Sequence, residues 1–426
     1  MARQASGGIV PWRSRLMSIP LIAAGRLVTW VIPRDKNRWV FGSDYGFGDG
    51  ALATLRAAQR RGIGDVTWIA RDEDERSAAL DAGVPSEVRG SRRAMWRTAR
   101  AGVAVATHGV ADVDRYTITG AYFIQLWHGI PFKKIHLDTA QSFGDASPGV
   151  RQRMMRWLYR RSTNRISLLP AAGERAAILL RGAFGIPAGR VAALGEPRTD
   201  ALWQGSEDER SAAARDVLAA ALDVTELPRR LVLFAPTWRD GKPDPAVPSE
   251  DQWEDLERWC TDNDAWLVLR PHPLSVSAYT PPAAASRVKL LASSVLGDPT
   301  AVLAAFDALI TDFSSIAYDF AITGRPIHFL APDAAEYLAS RGAYTSLEEF
   351  AGRPVARSWR QVLAQVADAF DTLPSSHSVE LVGLWQDHND GKSADRVVER
   401  ALADLSARQR KPLRDEPVDG PGGEPV

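Results

Sequence analysis

The 426-residue chain contains one cysteine, Cys260. This excludes an internal disulfide framework and any multi-cysteine metal or iron-sulfur site, and it points to an intracellular setting. Excess charge is missing too, because Lys+Arg and Asp+Glu both number 52. A general nucleic-acid binder would carry a strong basic excess, so any anion binding must come from local patches. The apolar stretch Leu16 to Ile32 is broken by Pro20 and Arg26. It falls short of the ~20 apolar residues that a spanning helix needs. The sequence also lacks a solenoid-length repeat, a Gly-x-x-x-x-Gly-Lys-Ser/Thr loop and paired metal-ligand spacing among its histidines. A P-loop kinase is therefore disfavoured, and the residues imply neither a metal nor a cofactor.

What is present is ordinary globular material, 45% hydrophobic and 24% charged. It is long enough for two cores, since domains above ~150 residues usually split. Residues 1–34 form a basic amphipathic segment, and up to Arg38 seven basic residues stand against the single acid Asp35. Such a segment reads as one lying on a membrane surface or packed on the lobe behind it, in preference to a cleaved signal peptide. A second basic patch, Arg151 to Arg165, interleaves six arginines with Met154, Met155, Trp157, Leu158 and Tyr159. It reads as a solvated helix face or as a contact for anionic lipid or a polyanionic substrate. Residues 409–426 are rich in Pro, Gly and acids and predict a disordered tail.

Between these ends, short β-branched or aromatic runs alternate with Ala/Arg/Leu-rich helical stretches. Trp39 to Gly42, Val66 to Ala70, Val103 to Thr107, Tyr122 to Leu126, Ile166 to Leu169 and Val191 to Leu194 read as strands. After a helical connection the rhythm restarts with Leu231 to Ala235, Trp266 to Leu269, Val288 to Leu291, Ala308 to Thr311 and Ile327 to Leu330. Alternation of this kind predicts α/β architecture with parallel sheets, in two doubly wound lobes over residues 35–205 and 206–408.

The unusual polar clusters fall at the carboxyl ends of those strands. They are Trp127-His128-Gly129, Pro236-Thr237-Trp238-Arg239, Arg270-Pro271-His272-Pro273, Thr311-Asp312-Phe313-Ser314-Ser315 and Pro332-Asp333. Open α/β sheets bind ligands beyond those ends, which predicts one long site between the lobes. Ser314 and Ser315 open a helical run and read as a phosphate cradle or as plain N-caps. Asp319 shares the helix face of Ser315 and would orient a serine, accept a sugar or glycerol hydroxyl, or pair with Arg325. His272, held between prolines beside Arg270, suits gripping and protonating a phosphate oxygen. His128, with Gly129, Lys133 and Lys134 close behind, combines a proton acceptor with charges that attract an anion.

Together with Gly195-Glu196-Pro197-Arg198-Thr199-Asp200, Arg325-Pro326 and His388-Asn389-Asp390-Gly391, these motifs run in order over roughly residues 35 to 400. The set resembles the CDP-glycerol glycerophosphotransferases of teichoic-acid synthesis. The resemblance implies a GT-B-like fold, two Rossmann-like lobes facing across a cleft, with the acceptor side in 35–205 and the donor nucleotide in 206–408. It implies transfer of an alditol phosphate, commonly glycerol phosphate, from a CDP-activated donor to a hydroxyl of a lipid-linked polymer or primer, releasing CMP. The enzymes of this family act at the cytoplasmic face of the membrane as peripheral proteins. Carried over by motif, His128 is the base and His272 assists the donor diphosphate. Gly129, Lys133, Lys134, Arg198, Thr237, Arg239, Arg270, Asp312, Ser314, Ser315 and Asp319 bind substrate. Two positions depart from the family pattern: Phe313 replaces a tyrosine, and His136 stands where glycine is frequent.

Four alternative readings remain. Gly48-Asp49-Gly50-Ala51-Leu52-Ala53 with Asp72 loosely matches a dinucleotide fingerprint, although such a first turn also serves close packing. A GT-B enzyme using a nucleotide sugar and a CDP-ribitol-dependent transferase remain enzymatic alternatives. A membrane-bound scaffold with a decayed site is the non-enzymatic one.

Overall fold

Strands form where the apolar runs predict them, and the computed structural model describes them within residues 25–27, 29–139, 149–239, 242–370 and 374–410. Residues 1–24 of the basic segment and the tail from residue 411 lie outside this set. The first sheet takes β1 (Asp35–Gly42), β2 (Asp65–Ala70), β3 (Ser86–Val88), β4 (Ala101–Ala106), β5 (Tyr122–Gln125), β6 (Ile166–Ala171) and β7 (Val191–Ala193). Its helices are α1 (Asp49–Arg60), α2 (Glu73–Asp81), α3 (Arg92–Arg100), α4 (Val150–Thr163) and α5 (Glu174–Phe184). A short 3₁₀ turn, Pro197–Leu202, and α6 (Glu207–Leu222) lead to the second sheet. Helix α6 begins where Ser206 and Glu209 close a reciprocal capping box.

The second sheet holds β8 (Arg230–Ala235), β9 (Ala265–Leu269), β10 (Val288–Leu290), β11 (Ala308–Thr311) and β12 (Ile327–Phe329). Around it lie α7 (Glu250–Asp262), α8 (Ile316–Ala321), α9 (Ala334–Arg341), α10 (Leu347–Ala351), α11 (Trp359–Ala369) and α12 (Ser376–Trp385). The strand orders are β3-β2-β1-β4-β5-β6-β7 and β10-β9-β8-β11-β12, and every pairing is parallel. This is the expected two-sheet α/β architecture. Only β3 escapes the sequence pattern, because Ser-Glu-Val at a sheet edge carries no apolar alternation. In both sheets the order reverses beside the first strand, between β1 and β4 and between β8 and β11. Those switch points open crevices at the carboxyl ends.

The two lobes are not independent. One buried cluster joins Val40 and Phe123 of the first sheet to Leu309 and Phe329 of the second. Phe132, from the loop after β5, stacks on Phe350 of α10 with ring centroids 4.2 Å apart. The closing helix α13 (Ser393–Arg410) follows the second sheet in sequence but packs on the first. Its Ala394, Val397, Val398 and Ala401 share a buried cluster with Trp39, Leu55 and Trp68, and Tyr122 donates to Asp404 at 2.6 Å. Val398→Ala removes two buried methyl groups and should cost about 2 kcal/mol of stability. A urea-unfolding midpoint equal to that of the unaltered protein would show that α13 does not hold the first lobe.

Candidate functional site

The register of the first sheet sets two imidazoles side by side. Ala106 of β4 pairs with Gln125 of β5, and the ladder continues as Trp127 N–H donates to the Thr107 carbonyl at 3.0 Å. One residue further, the rings of His108 and His128 stack with centroids 4.8 Å apart and planes 24° from parallel. Trp127 adopts φ +65 and Gly129 φ +129, so the chain turns sharply around His128. A bulky residue in the left-handed region is strained, a feature that concentrates at functional sites. Burial, and after it the charges of His108, Arg198, His136 and Lys133, hold His128 well below the ordinary histidine value. It therefore stands neutral near pH 7, the form that accepts a proton.

Arg198 joins the lobes. Its buried guanidinium donates to Glu196 at 2.8 Å in its own lobe and makes a two-pronged contact with Asp319 of α8, one prong at 2.6 Å. Burial opposes its charge, but Asp319 and Glu196 outweigh burial and keep it ionised. Two glycines let the backbone come this close. A Cβ on Gly50 would stand 3.2 Å from the Arg198 backbone nitrogen, and one on Gly129 would meet Arg198 Nη2 at 3.0 Å and Ser315 Oγ at 3.2 Å. The glycine-rich first turn of α1 thus serves close packing here. Asp319 pairs with Arg198 and not with Arg325, whose guanidinium donates to the carbonyls of Ala304 and Phe306.

Ser315 stands at the cap position of α8 but makes no side-chain cap bond. Ser314 Oγ offers only a 3.5 Å contact to the Ile316 N–H. The plain capping role is therefore not taken up, and the Ser315 hydroxyl faces the Gly129 turn of the opposite lobe. His272 stacks on Trp238 at 5.3 Å, and burial and then Lys133 hold it below its ordinary value. Lys133 reaches across from the loop after β5, forms a backbone bridge with Ala343, and is pushed down to about 8 by burial, against the charge of Asp312 and with those of Arg341 and Arg239. Arg270 donates through Nη2 to the carbonyls of Leu296 and Gly297 and leaves buried Nη1 without a partner. Thr237 likewise has an unpartnered buried Oγ1.

Two of the sequence-selected residues face inward instead. Arg239 spends its guanidinium on Asp312 at 2.7 Å, on Asp333 at 2.8 and 3.1 Å and on the Thr237 carbonyl, beside the stacked rings of Phe313 and Tyr337. Asp312 completes this network by accepting the Thr237 N–H at 2.9 Å. The pair fixes the strand ends, with four of the five guanidinium N–H groups committed within this network. Lys134 is exposed and lies along Gly342. The two departures are explained locally. Phe313 is a fully buried ring stacked 4.3 Å from Tyr337, and His136 sits at φ +50, where glycine is free of strain.

Sequence reasoning did not select Asp49 or Asp298 as site residues. Asp49, at φ +59, accepts from Thr107 Oγ1 at 2.7 Å, and Asp298 caps the turn Pro299–Ala305 by accepting the Thr300 N–H at 2.8 Å. Burial raises both, and each one's charge bears on Arg198 and on Tyr45. Burial also pushes Asp319 up to about 6. Asp49 and Asp298 come from segments far apart in sequence, so no local spacing announces them; Asp49 entered the sequence reading only as part of the Gly48-Asp49-Gly50 turn, whereas Asp319 was selected by its spacing after Ser315. Among the described residues no group of three or more His, Cys, Asp or Glu is arranged to hold a metal ion.

A family model described as CDP-glycerol:poly(glycerophosphate) glycerophosphotransferase matches residues 26–403, and the chain belongs to that family. The teichoic acid ribitol-phosphate polymerase TarK of Staphylococcus aureus is 30% identical over 231 residues, 51% of this chain and 41% of that protein. The teichoic acid poly(glycerol phosphate) polymerase of Bacillus spizizenii is 25% identical over 290 residues, 66% of this chain and 69% of that protein. The chain thus spans about two fifths of the length of TarK and of its relative TarL. Among solved structures, the wall teichoic acid polymerase TagF superposes with a TM-score of 0.73 at 19% identity, covering 94% of this chain and 98% of that one. S. aureus MnaA, solved with UDP, gives 0.50 at 12% identity over 90% of this chain and all of that one. These likenesses concern the fold, which is GT-B-like.

Burial, and then the charge of Asp49, lifts Asp298 to about 6. A carboxyl raised above its unfolded value contributes stability that is full below about pH 4 and lost as pH rises through about 6. Asp298→Asn keeps the acceptor for Thr300 and should raise stability at pH 8 by up to about 3 kcal/mol, with the gain vanishing near pH 4. Thermal unfolding across that range checks it; a difference independent of pH would contradict the assignment.

Proposed function

We propose that this chain transfers an alditol phosphate, glycerol phosphate in the first instance, from a CDP-activated donor to a hydroxyl of a polymer acceptor, releasing CMP. Family membership supports the reaction class. The observation that carries the assignment of roles is the meeting of the Gly129 turn with Ser315 across the lobes, since it brings the turn that follows a neutral imidazole to the side chain of the serine that opens α8. In this reading 35–205 is the acceptor-side lobe, and 206–408, less its closing helix, binds the donor. The acceptor hydroxyl gives its proton to His128 as its oxygen bonds to the alditol-bearing phosphorus. The bond from that phosphorus to the CMP oxygen breaks, and CMP leaves. Such a displacement needs alignment and charge stabilisation and little covalent chemistry from the protein. Arg270 Nη1, Lys133, Ser314, Ser315, Thr237 and His272 supply hydrogen bonds and charge to the pyrophosphate. Because Gly129 and Ser315 touch, donor entry requires the lobes to part.

Ribitol phosphate is the second donor to consider, because the ribitol-phosphate polymerases TarK and TarL are among the relatives. A panel of CDP-glycerol, CDP-ribitol and UDP-sugars with a lipid-linked primer tests the proposal by CMP release. His128→Ala should lower kcat about 10²- to 10⁴-fold with donor KM little changed, whereas Ser315→Ala should chiefly raise donor KM. Turnover with a nucleotide sugar alone would overturn it.

We further propose that the chain works as a peripheral protein on the cytoplasmic face of the membrane, with a lipid-linked acceptor. Among the described residues no helix is long and apolar enough to cross a membrane. Helix α4 instead exposes Val150, Met154, Trp157 and Leu158, and Leu27, Trp30 and Val31 are also exposed. Arg26 lies close enough to Arg165, just after α4, to depress it after burial, so these two arginines lie on neighbouring surface. Tryptophans among arginines suit the headgroup level of an anionic leaflet. Trp157→Glu combined with Trp30→Glu should abolish salt-sensitive pelleting with phosphatidylglycerol vesicles; unchanged pelleting would remove this surface from the account.

A further inference from the structure

The reaction assigned above uses His128 and leaves its neighbour unexplained. His108 follows β4 in the middle of the first sheet, and the parallel register with β5 brings its ring onto that of His128. Tyr45 packs edge-on against the far side of His108, with centroids 4.6 Å apart. The stack is held by its backbone. The His108 N–H donates to the Asp112 carboxylate at 2.7 Å, and its carbonyl accepts from Gln125 Nε2 at 2.7 Å. The His108 side chain is 31% exposed, and its Nδ1 lies 3.9 Å from Asp112. The Nδ1 atoms of both rings are buried without a hydrogen-bond partner.

Resting on the phosphotransfer reading, we propose that His108 is a positioning residue for His128: its stacked imidazole fixes the plane of the base and sets a second proton-binding ring against it, so that the two rings carry one positive charge between them and not two. The charges on either side favour placing that proton on His108. Of its two acidic neighbours, Asp44, on the loop after β1, raises its proton affinity against burial, whereas burial pushes Asp112, on the turn after β4, up to about 7, so that Asp112 is uncharged across the acid limb. Arg89 pairs with Asp44 at 3.4 Å and tempers that effect. The groups facing His128 are Arg198, from the turn Pro197–Leu202, together with Lys133 and His136 from the loop after β5, and all of them oppose a proton there. When the solution becomes acidic, His108 is protonated first, and its charge then disfavours protonation of the stacked base. Like charges about 5 Å apart in a partly solvated site shift a titration by about one pH unit.

His108→Phe keeps a stacked ring and removes its proton. His128 then titrates without a charged neighbour, so its midpoint rises, and activity should be lost at a pH about one unit higher on the acid side. The experiment pairs the kcat–pH profile, read as CMP release from CDP-glycerol, with an NMR titration of the His128 imidazole in the same proteins. His108→Gln, which keeps polarity without the aromatic face, provides the titration if the Phe variant fails to fold. An upward shift of both the acid limb and the His128 midpoint supports the proposal. An unmoved acid limb with turnover intact overturns it while leaving the transferase reading in place. Absence of CMP release from the unaltered protein, with the NMR midpoints still coupled, removes the transferase reading and leaves the coupled pair standing.

Discussion

A guanidinium taken out of water must find carboxylates, and Arg198 finds one of them in the other lobe. Its contact with Asp319, backed by Glu196, is worth little as net stability, because desolvation consumes most of the attraction. Its importance is geometric. A buried charge left without its partner costs about 3–5 kcal/mol, so the lobes have one strongly preferred approach in which Asp319 reaches Arg198. Everything that touches Arg198 inherits that approach. The Gly129 turn lies against it and against Ser315, the first turn of α1 lies against its backbone, and the charges of Asp49 and Asp298 act on it.

The dryness that makes the bridge demanding also tunes the chemistry around it. The same burial keeps His128 neutral, lowers Lys133 to about 8, and lifts Asp298 and Asp319 towards neutrality. Each shift moves a group towards the form with less charge, as a low-dielectric cleft requires. Separation of the lobes for donor entry would readmit water and relax these shifts together. This protonation pattern therefore belongs to the two lobes in contact and not to either lobe alone.

Motif membership and role also come apart. Arg239 and Asp312 belong to the same run of strand-end motifs as Thr237 and Ser315, yet they spend their charges on each other and on Asp333. Their service is to hold two adjacent strand ends in register, which places the residues beside them. Exposed Lys134, next to buried Lys133, shows the same division within a single dipeptide. Residue type and spacing select the strand ends, and they do not say which side chain turns towards the cleft.

The sequence by itself determined the architecture. Apolar runs of strand length alternating with helical stretches locate nearly every strand, because burial on both faces of a parallel sheet leaves a continuous apolar signature; only the three-residue edge strand β3 lacked it. It also placed the polar clusters, His128, His272 and the serines among them, at the carboxyl ends of their strands, because those ends close apolar runs that the sequence marks. Tertiary structure decided the partnerships. Asp298 and His108 carry no telling local pattern, since their meaning comes from segments tens to hundreds of residues apart brought within a few ångströms. The return of α13 to the first lobe was hidden for the same reason: an amphipathic helix advertises that it has an apolar face, but not which surface will cover it.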